Sequence, residues 1–169
     1  MARAGTRILD VGDMFPDLKL KLIDGSEIQT KTGLKHSWNA VLVYRGAWCP
    51  FCISQLKSFQ IGLEKLEAEG IGVLAISTEP LEKARETQKA TGATFPIAYE
   101  VPVVETAEVI GAFYDPSSTH GAPFLQSTGF LLGPDGRVMV SAYSSGALGR
   151  LAWQEVLTIV QYAKAAKKN

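Results

Sequence analysis

Charge of either sign is not in surplus here: 17 lysines and arginines balance 17 aspartates and glutamates in 169 residues. That balance excludes a nucleic-acid binder built on a basic face, and equally a polybasic membrane anchor or an acidic tail. No apolar run approaches the roughly 20 residues that span a bilayer. The N-terminus, Met-Ala-Arg-Ala-Gly-Thr-Arg-Ile-Leu-Asp, is basic but lacks the apolar stretch of a secretory signal. A soluble, cytoplasmic protein is the expectation. Repeats and low-complexity segments are missing too, and at 46% hydrophobic residues the chain is too apolar for disorder. Its length suits one domain, residues 1–169, with loose ends at about 1–10 and 164–169. Cysteine is scarce: there are two, Cys49 and Cys52, three positions apart.

Hydrophobic periodicity alternates between strand and helix. Leu18, Leu20 and Leu22 alternate with lysines before Asp24-Gly25, which predicts an N-terminal β-hairpin. Ala40 to Tyr44 and Ile71 to Ile76 are short apolar runs suited to strands buried on both faces. Between them Ile53, Leu56, Phe59, Leu63 and Leu66 step by three and four, a helix stopped at Gly70. A polar helix over Leu81–Thr91, a strand at Phe95–Ala98 and a helix at Thr106–Phe113 follow. Gly129–Leu132 and Arg137–Ala142 flank the turn Pro134-Asp135-Gly136, and Trp153, Val156, Leu157 and Val160 mark a closing helix. The β-α-β unit around the cysteines requires a parallel pair with a right-handed crossover. The expected fold is α/β, a three-layer α/β/α sandwich with a mixed central sheet.

The pair Cys49-Pro50-Phe51-Cys52 falls where a strand hands over to a helix. Pro50 suits the first helical turn, where its missing N–H would be unpaired anyway. A cysteine there meets free N–H groups and the positive end of the helix dipole, which favour thiolate over thiol. The spacing lets the two sulfurs form a reversible disulfide. Trp48 offers an apolar wall, and Arg45 a positive charge for a developing sulfur anion. A zinc site would need two further ligands, and only His36 and His120 are available, at spacings unlike a common finger. A buried pair of small hydrophobes is the inert alternative.

Tyr44-Arg45-Gly46-Ala47-Trp48-Cys49-Pro50-Phe51-Cys52 with Gln55-Leu56 resembles the thioredoxin-like superfamily. More narrowly it resembles the alkyl hydroperoxide reductase/thiol-specific antioxidant, or peroxiredoxin-like, branch. Gly12-Asp13…Pro16, Ala75-Ile76-Ser77 and Phe130-Leu131-Leu132-Gly133-Pro134-Asp135-Gly136 agree. The resemblance implies a thiol-dependent antioxidant oxidoreductase that reduces peroxides through a Cys49–Cys52 disulfide and needs no cofactor or metal. It also implies an external thioredoxin- or glutaredoxin-like dithiol as reductant, and a homodimer as the common assembly. A thioredoxin-like protein disulfide reductase and a non-enzymatic binding module are the alternatives.

The chain departs from the branch. Aligning the pattern Pro-x-x-x-Thr-x-x-Cys on Cys52 puts Cys49 in place of Thr and Arg45 in place of Pro. The arginine usual before the last hairpin is replaced by Gln126, Ser127 and Thr128. The two alignments also name different nucleophiles. Thioredoxin logic makes Cys49 the attacking residue, favoured here on exposure and dipole grounds, and peroxiredoxin logic makes it Cys52. Supporting candidates are Arg45, Trp48, Pro50, Thr128, expected to face the cysteines, and His120, a proton donor if it reaches the sulfurs and otherwise a solvated loop residue. Ser144 to Arg150, glycine-rich, reads as a flexible connector into the last helix.

Overall fold

A computed structural model describes residues 2–3, 8–117 and 119–166. The strands are β1 (Ala2–Arg3), β2 (Lys19–Leu22), β3 (Glu27–Gln29), β4 (Trp38–Val43), β5 (Ile71–Ile76), β6 (Ile97–Tyr99), β7 (Phe113–Asp115), β8 (Phe124–Leu125), β9 (Thr128–Leu132) and β10 (Val138–Tyr143). The helices are α1 (Thr30–Gly33), α2 (Pro50–Ala68), α3 (Leu81–Thr91), α4 (Val103–Ile110) and α5 (Trp153–Ala166). Seven strands form one mixed sheet in the order β10-β9-β4-β5-β6-β2-β3, and β1-β7-β8 form a small second sheet. The β4–β5 and β5–β6 pairs are parallel; β9, β10 and the β2–β3 hairpin run antiparallel.

Central strands β4 and β5 are buried at every position, so they read as continuous apolar runs rather than alternating ones. Alternation still sorts their side chains between two cores. Ala40 and Leu42 with Ile71, Val73 and Ala75 meet Leu56, Phe59 and Leu66 of α2 and Val156 and Val160 of α5. Val41, Val43, Leu74, Ile76 and Phe130 point the other way, against Ala107 and Ile110 of α4. Three layers result: α2, α3 and α5, then the sheet, then α4 with the edge of the small sheet.

Several local expectations shift. The helix expected over Thr106–Phe113 is α4, starting at Val103 after Pro102 and ending at Gly111, whose φ of 72° is the left-handed stop; Phe113 then begins β7. The strand expected at Phe95–Ala98 is Ile97–Tyr99. The lead-in expected to be loose is held where it is described. Leu9 is buried, and its N–H donates to the Tyr143 hydroxyl at 2.9 Å. Gly12 N–H donates to the Val138 carbonyl at 2.8 Å. At the other end, Lys164 Nζ reaches both the Glu69 carbonyl and Oε2 at 2.7 Å, so α5 is anchored into its last turn. Residues 1, 4–7 and 167–169 lie outside the described residues.

Candidate active site

Strand β4 runs into Tyr44, which is fully buried, and the chain then turns through Arg45-Gly46-Ala47-Trp48 to Cys49. Cys49 is the N-cap of α2 and Pro50 its first residue; Cys49 has φ −92° and ψ 106°. Its N–H donates to the Gly46 carbonyl at 3.1 Å, and its own carbonyl accepts the Ile53 N–H at 3.1 Å. The first turn of α2 carries no acidic residue, so no carboxylate competes for the positive helix end. From the loop after β5, Glu79 Oε2 accepts the Ala47 N–H at 2.7 Å and pins the turn.

Cys49 and Cys52 are both free thiols with 0% exposure. Surface exposure therefore does not single out Cys49 as the attacking residue, and that expectation is corrected; its N-cap position does set it apart. Arg45 serves both sulfurs. Its backbone N–H donates to Cys52 Sγ at 3.3 Å, and its Nη1 lies 3.8 Å from Cys49 Sγ. Its guanidinium lies over Trp48 and Phe124, at 4.7 and 5.2 Å from their ring centroids.

A second guanidinium also reaches the pair. Arg150 Nη2 is 3.2 Å from Cys52 Sγ and 3.8 Å from Cys49 Sγ. The segment read as a flexible connector is thus a shaped loop. The Ser144 hydroxyl lies within hydrogen-bond distance of the Gly146 and Leu148 carbonyls, and Arg150 Nη1 donates to the Ala147 carbonyl. Gln55 of α2 donates to the Leu151 carbonyl at 3.0 Å and ties the loop's end beside the cysteines. Sequence reasoning missed both Arg150 and Glu79. The available signal for Arg150 was that it is the sole charged residue from Ser144 to Ala152.

These contacts split the two thiols. Cys49 is drawn down to about 5, first by the hydrogen bond from the Cys52 thiol, then by the Cys52 N–H and the charges of Arg45 and Arg150, against the opposing effect of burial. Cys52 is pushed up, because it donates to Cys49 and is buried. The pair therefore holds one proton and one negative charge across the neutral range. Burial raises the Glu79 carboxyl, and the Cys49 charge adds to the effect.

The other candidates separate. Trp48 stands beside Arg45 and stacks on His120 with centroids 3.5 Å apart and planes at 10°. Among the described residues no hydrogen bond joins His120 to either sulfur, and its exposed ring covers Trp48, as in the solvated-loop reading. Thr128 does not face the cysteines. It pairs with Val43 and Tyr143 on the α4 side of the sheet, two positions from Phe130, and its hydroxyl donates to the Gln126 carbonyl at 3.2 Å. His36 packs over Gly72 at the opposite end of β4 from the cysteines. A cavity of about 460 Å³ is lined by Arg45, Trp48, Glu79, Lys83, His120 and Phe124. A separate groove of about 320 Å³ includes Phe51, Gln55, Leu148 and Arg150.

Comparison with known proteins bears on the fold and the family. The chain is 23% identical over 167 residues to the probable 1-Cys peroxiredoxin of Syntrichia ruralis, covering 94% of this chain and 75% of that one. Among solved structures, a cysteine-to-serine mutant of the peroxiredoxin 6 of Arenicola marina superposes with a TM-score of 0.76 at 18% identity, over 95% of this chain and 76% of the other. Enterococcus faecalis AhpC gives 0.76 at 13% identity over 96% of both; at such identities the likeness is one of fold. The AhpC/TSA family model matches residues 11–141, from the lead-in through the cysteine turn to the last hairpin. This chain belongs to the AhpC/TSA family.

Proposed function

We propose that the protein is a thiol peroxidase in which Cys49 attacks and Cys52 resolves. The observation that carries the reading is the geometry of the pair: two buried sulfurs at a helix N-terminus, between two guanidiniums, one thiol drawn low and the other held protonated. Cys49 thiolate attacks the terminal oxygen of a hydroperoxide; the O–O bond breaks, giving Cys49 sulfenic acid and an alkoxide (hydroxide when the substrate is hydrogen peroxide). Arg45 and Arg150 face the charge that develops on the departing oxygen. That oxygen takes the Cys52 proton. Cys52 thiolate then displaces hydroxide from Cys49, closing the disulfide, and an external dithiol of thioredoxin or glutaredoxin type returns both thiols. The need for such a reductant fits a cytoplasmic setting, and a homodimer is the assembly the resemblance implies. The Syntrichia relative carries 1-Cys in its name, whereas this reading uses two cysteines.

The test is stoichiometric. Peroxide should convert two titratable thiols to none without an intermolecular dimer. Cys49→Ser should lose single-turnover peroxide consumption, while Cys52→Ser keeps it and stops at sulfenic acid. Consumption by Cys49→Ser would reverse the assignment. Oxidation no faster than free cysteine, beside efficient insulin reduction, would refute the peroxidase.

A further inference from the structure

The two guanidiniums outnumber the charge they serve. Among the described residues no ion pair joins Arg45 or Arg150 to a carboxylate. Asp115 feels the field of Arg45 without pairing, and Glu79 is engaged by the Ala47 N–H. The Nε of each guanidinium is buried with no hydrogen-bond partner. In the dithiol form one thiolate offsets one of the two positive charges. Closing the disulfide removes that thiolate and leaves two cations, each with an unmade N–H, in a half-buried site. An uncompensated charge out of water is costly, so the oxidised site gains most from a small anion. Space lies beside each of them: Arg45 lines the cavity of about 460 Å³, whose Trp48 and Phe124 walls keep the guanidinium partly dry, and Arg150 lines the separate groove of about 320 Å³.

We infer that oxidation of Cys49 and Cys52 turns the freed Arg45 and Arg150 guanidiniums into receptors for small oxyanions, so that the disulfide's reduction potential depends on the oxyanion present. This rests on the Cys49–Cys52 disulfide but not on peroxidase activity. Such an anion stabilises the disulfide by mass action. The protein dithiol and oxidised dithiothreitol exchange two hydrogens for one disulfide, so the equilibrium constant reports the effect directly.

The experiment equilibrates the protein with dithiothreitol redox mixtures in sodium sulfate and in sodium chloride at matched ionic strength. A sulfate dissociation constant of about 10 mM, at about 100 mM sulfate, shifts the equilibrium about tenfold toward disulfide. That corresponds to a potential about 30 mV more negative. Arg45→Gln and Arg150→Gln should each shrink the difference, and the double variant should abolish it. As a check needing no variant, sulfate should raise the melting temperature of the oxidised protein more than that of the reduced one. Equal potentials in the two salts, equal melting shifts in both redox states, or a sulfate effect that survives in the double variant would overturn the inference. A disulfide that never forms under these mixtures would sink the cysteine pairing itself, a distinguishable result.

Discussion

Replacing Arg150 with glutamine probes the contact that most distinguishes this site. Its Nη2 lies 3.2 Å from Cys52 Sγ and 3.8 Å from Cys49 Sγ. Two unit charges at about 4 Å interact by about 4 kcal/mol at an effective dielectric constant near 20. Arg150 is only half-buried, so solvent screening brings the value closer to the about 1.5–3 kcal/mol of a hydrogen bond to a charged group. At 1.36 kcal/mol per pH unit, the Cys49 thiol should rise by about one to two pH units from its value of about 5. At pH 8 it would still be largely thiolate. Alkylation by iodoacetamide, which needs only the thiolate, should then barely change. Peroxide consumption should fall about 100-fold, the lower end for losing one donor to a developing oxyanion, because Arg45 remains. Arg150→Lys, which keeps the charge but loses the planar fork, should fall between. The thiolate absorbance near 240 nm gives the titration, stopped-flow mixing gives the peroxide rate, and circular dichroism checks the fold. An unchanged peroxide rate would refute the reasoning. So would equal losses toward peroxide and iodoacetamide, since Arg150 would then act only by lowering the thiol.

Two further outcomes follow from the same contacts and from the packing of α2. Between the lowered Cys49 value of about 5 and the ordinary thiol value of 9.0, the unfolded pair binds two protons and the folded pair one. Stability of the reduced protein relative to the oxidised should therefore climb with pH over that window; above it the folded pair keeps a proton that the unfolded chain has lost, and stability should fall again. Melting temperatures of both redox forms across pH 4–11 check this, and a flat difference would contradict it. Gly62→Ala would normally favour a helix by about 0.5–1 kcal/mol. Here the added Cβ would sit 2.3 Å from the Trp153 indole, so overpacking of about 1–3 kcal/mol should prevail and chemical denaturation should show a loss.

Elements whose residues interact mainly with their own neighbours were legible in the sequence. The three-and-four spacing from Ile53 to Leu66 placed α2, and Gly92, at φ 69°, closes α3 where the pattern stopped. The apolar run Ile71–Ile76 became β5 without adjustment. Cys49-Pro50-Phe51-Cys52 also carried its own geometry, because a proline after a capping residue starts a helix wherever the chain allows one. Burial against distant strands was less legible: the lead-in near Leu9 looked loose because its partner, Tyr143, lies at the far end of the chain.

The sequence by itself determined that two sulfurs would share a helix N-terminus, since spacing and local helix chemistry suffice for that. Tertiary structure alone decided which other groups reach them. The register of β9 against β4 turned Thr128 to the opposite face, and the path of the chain after β10, tied by Gln55, delivered Arg150 from 98 residues away. Periodicity reports which face of an element is apolar. It does not report which loop closes over that element's end, because that depends on how the whole sheet stacks and twists, and the charge around the thiolate depends on it too.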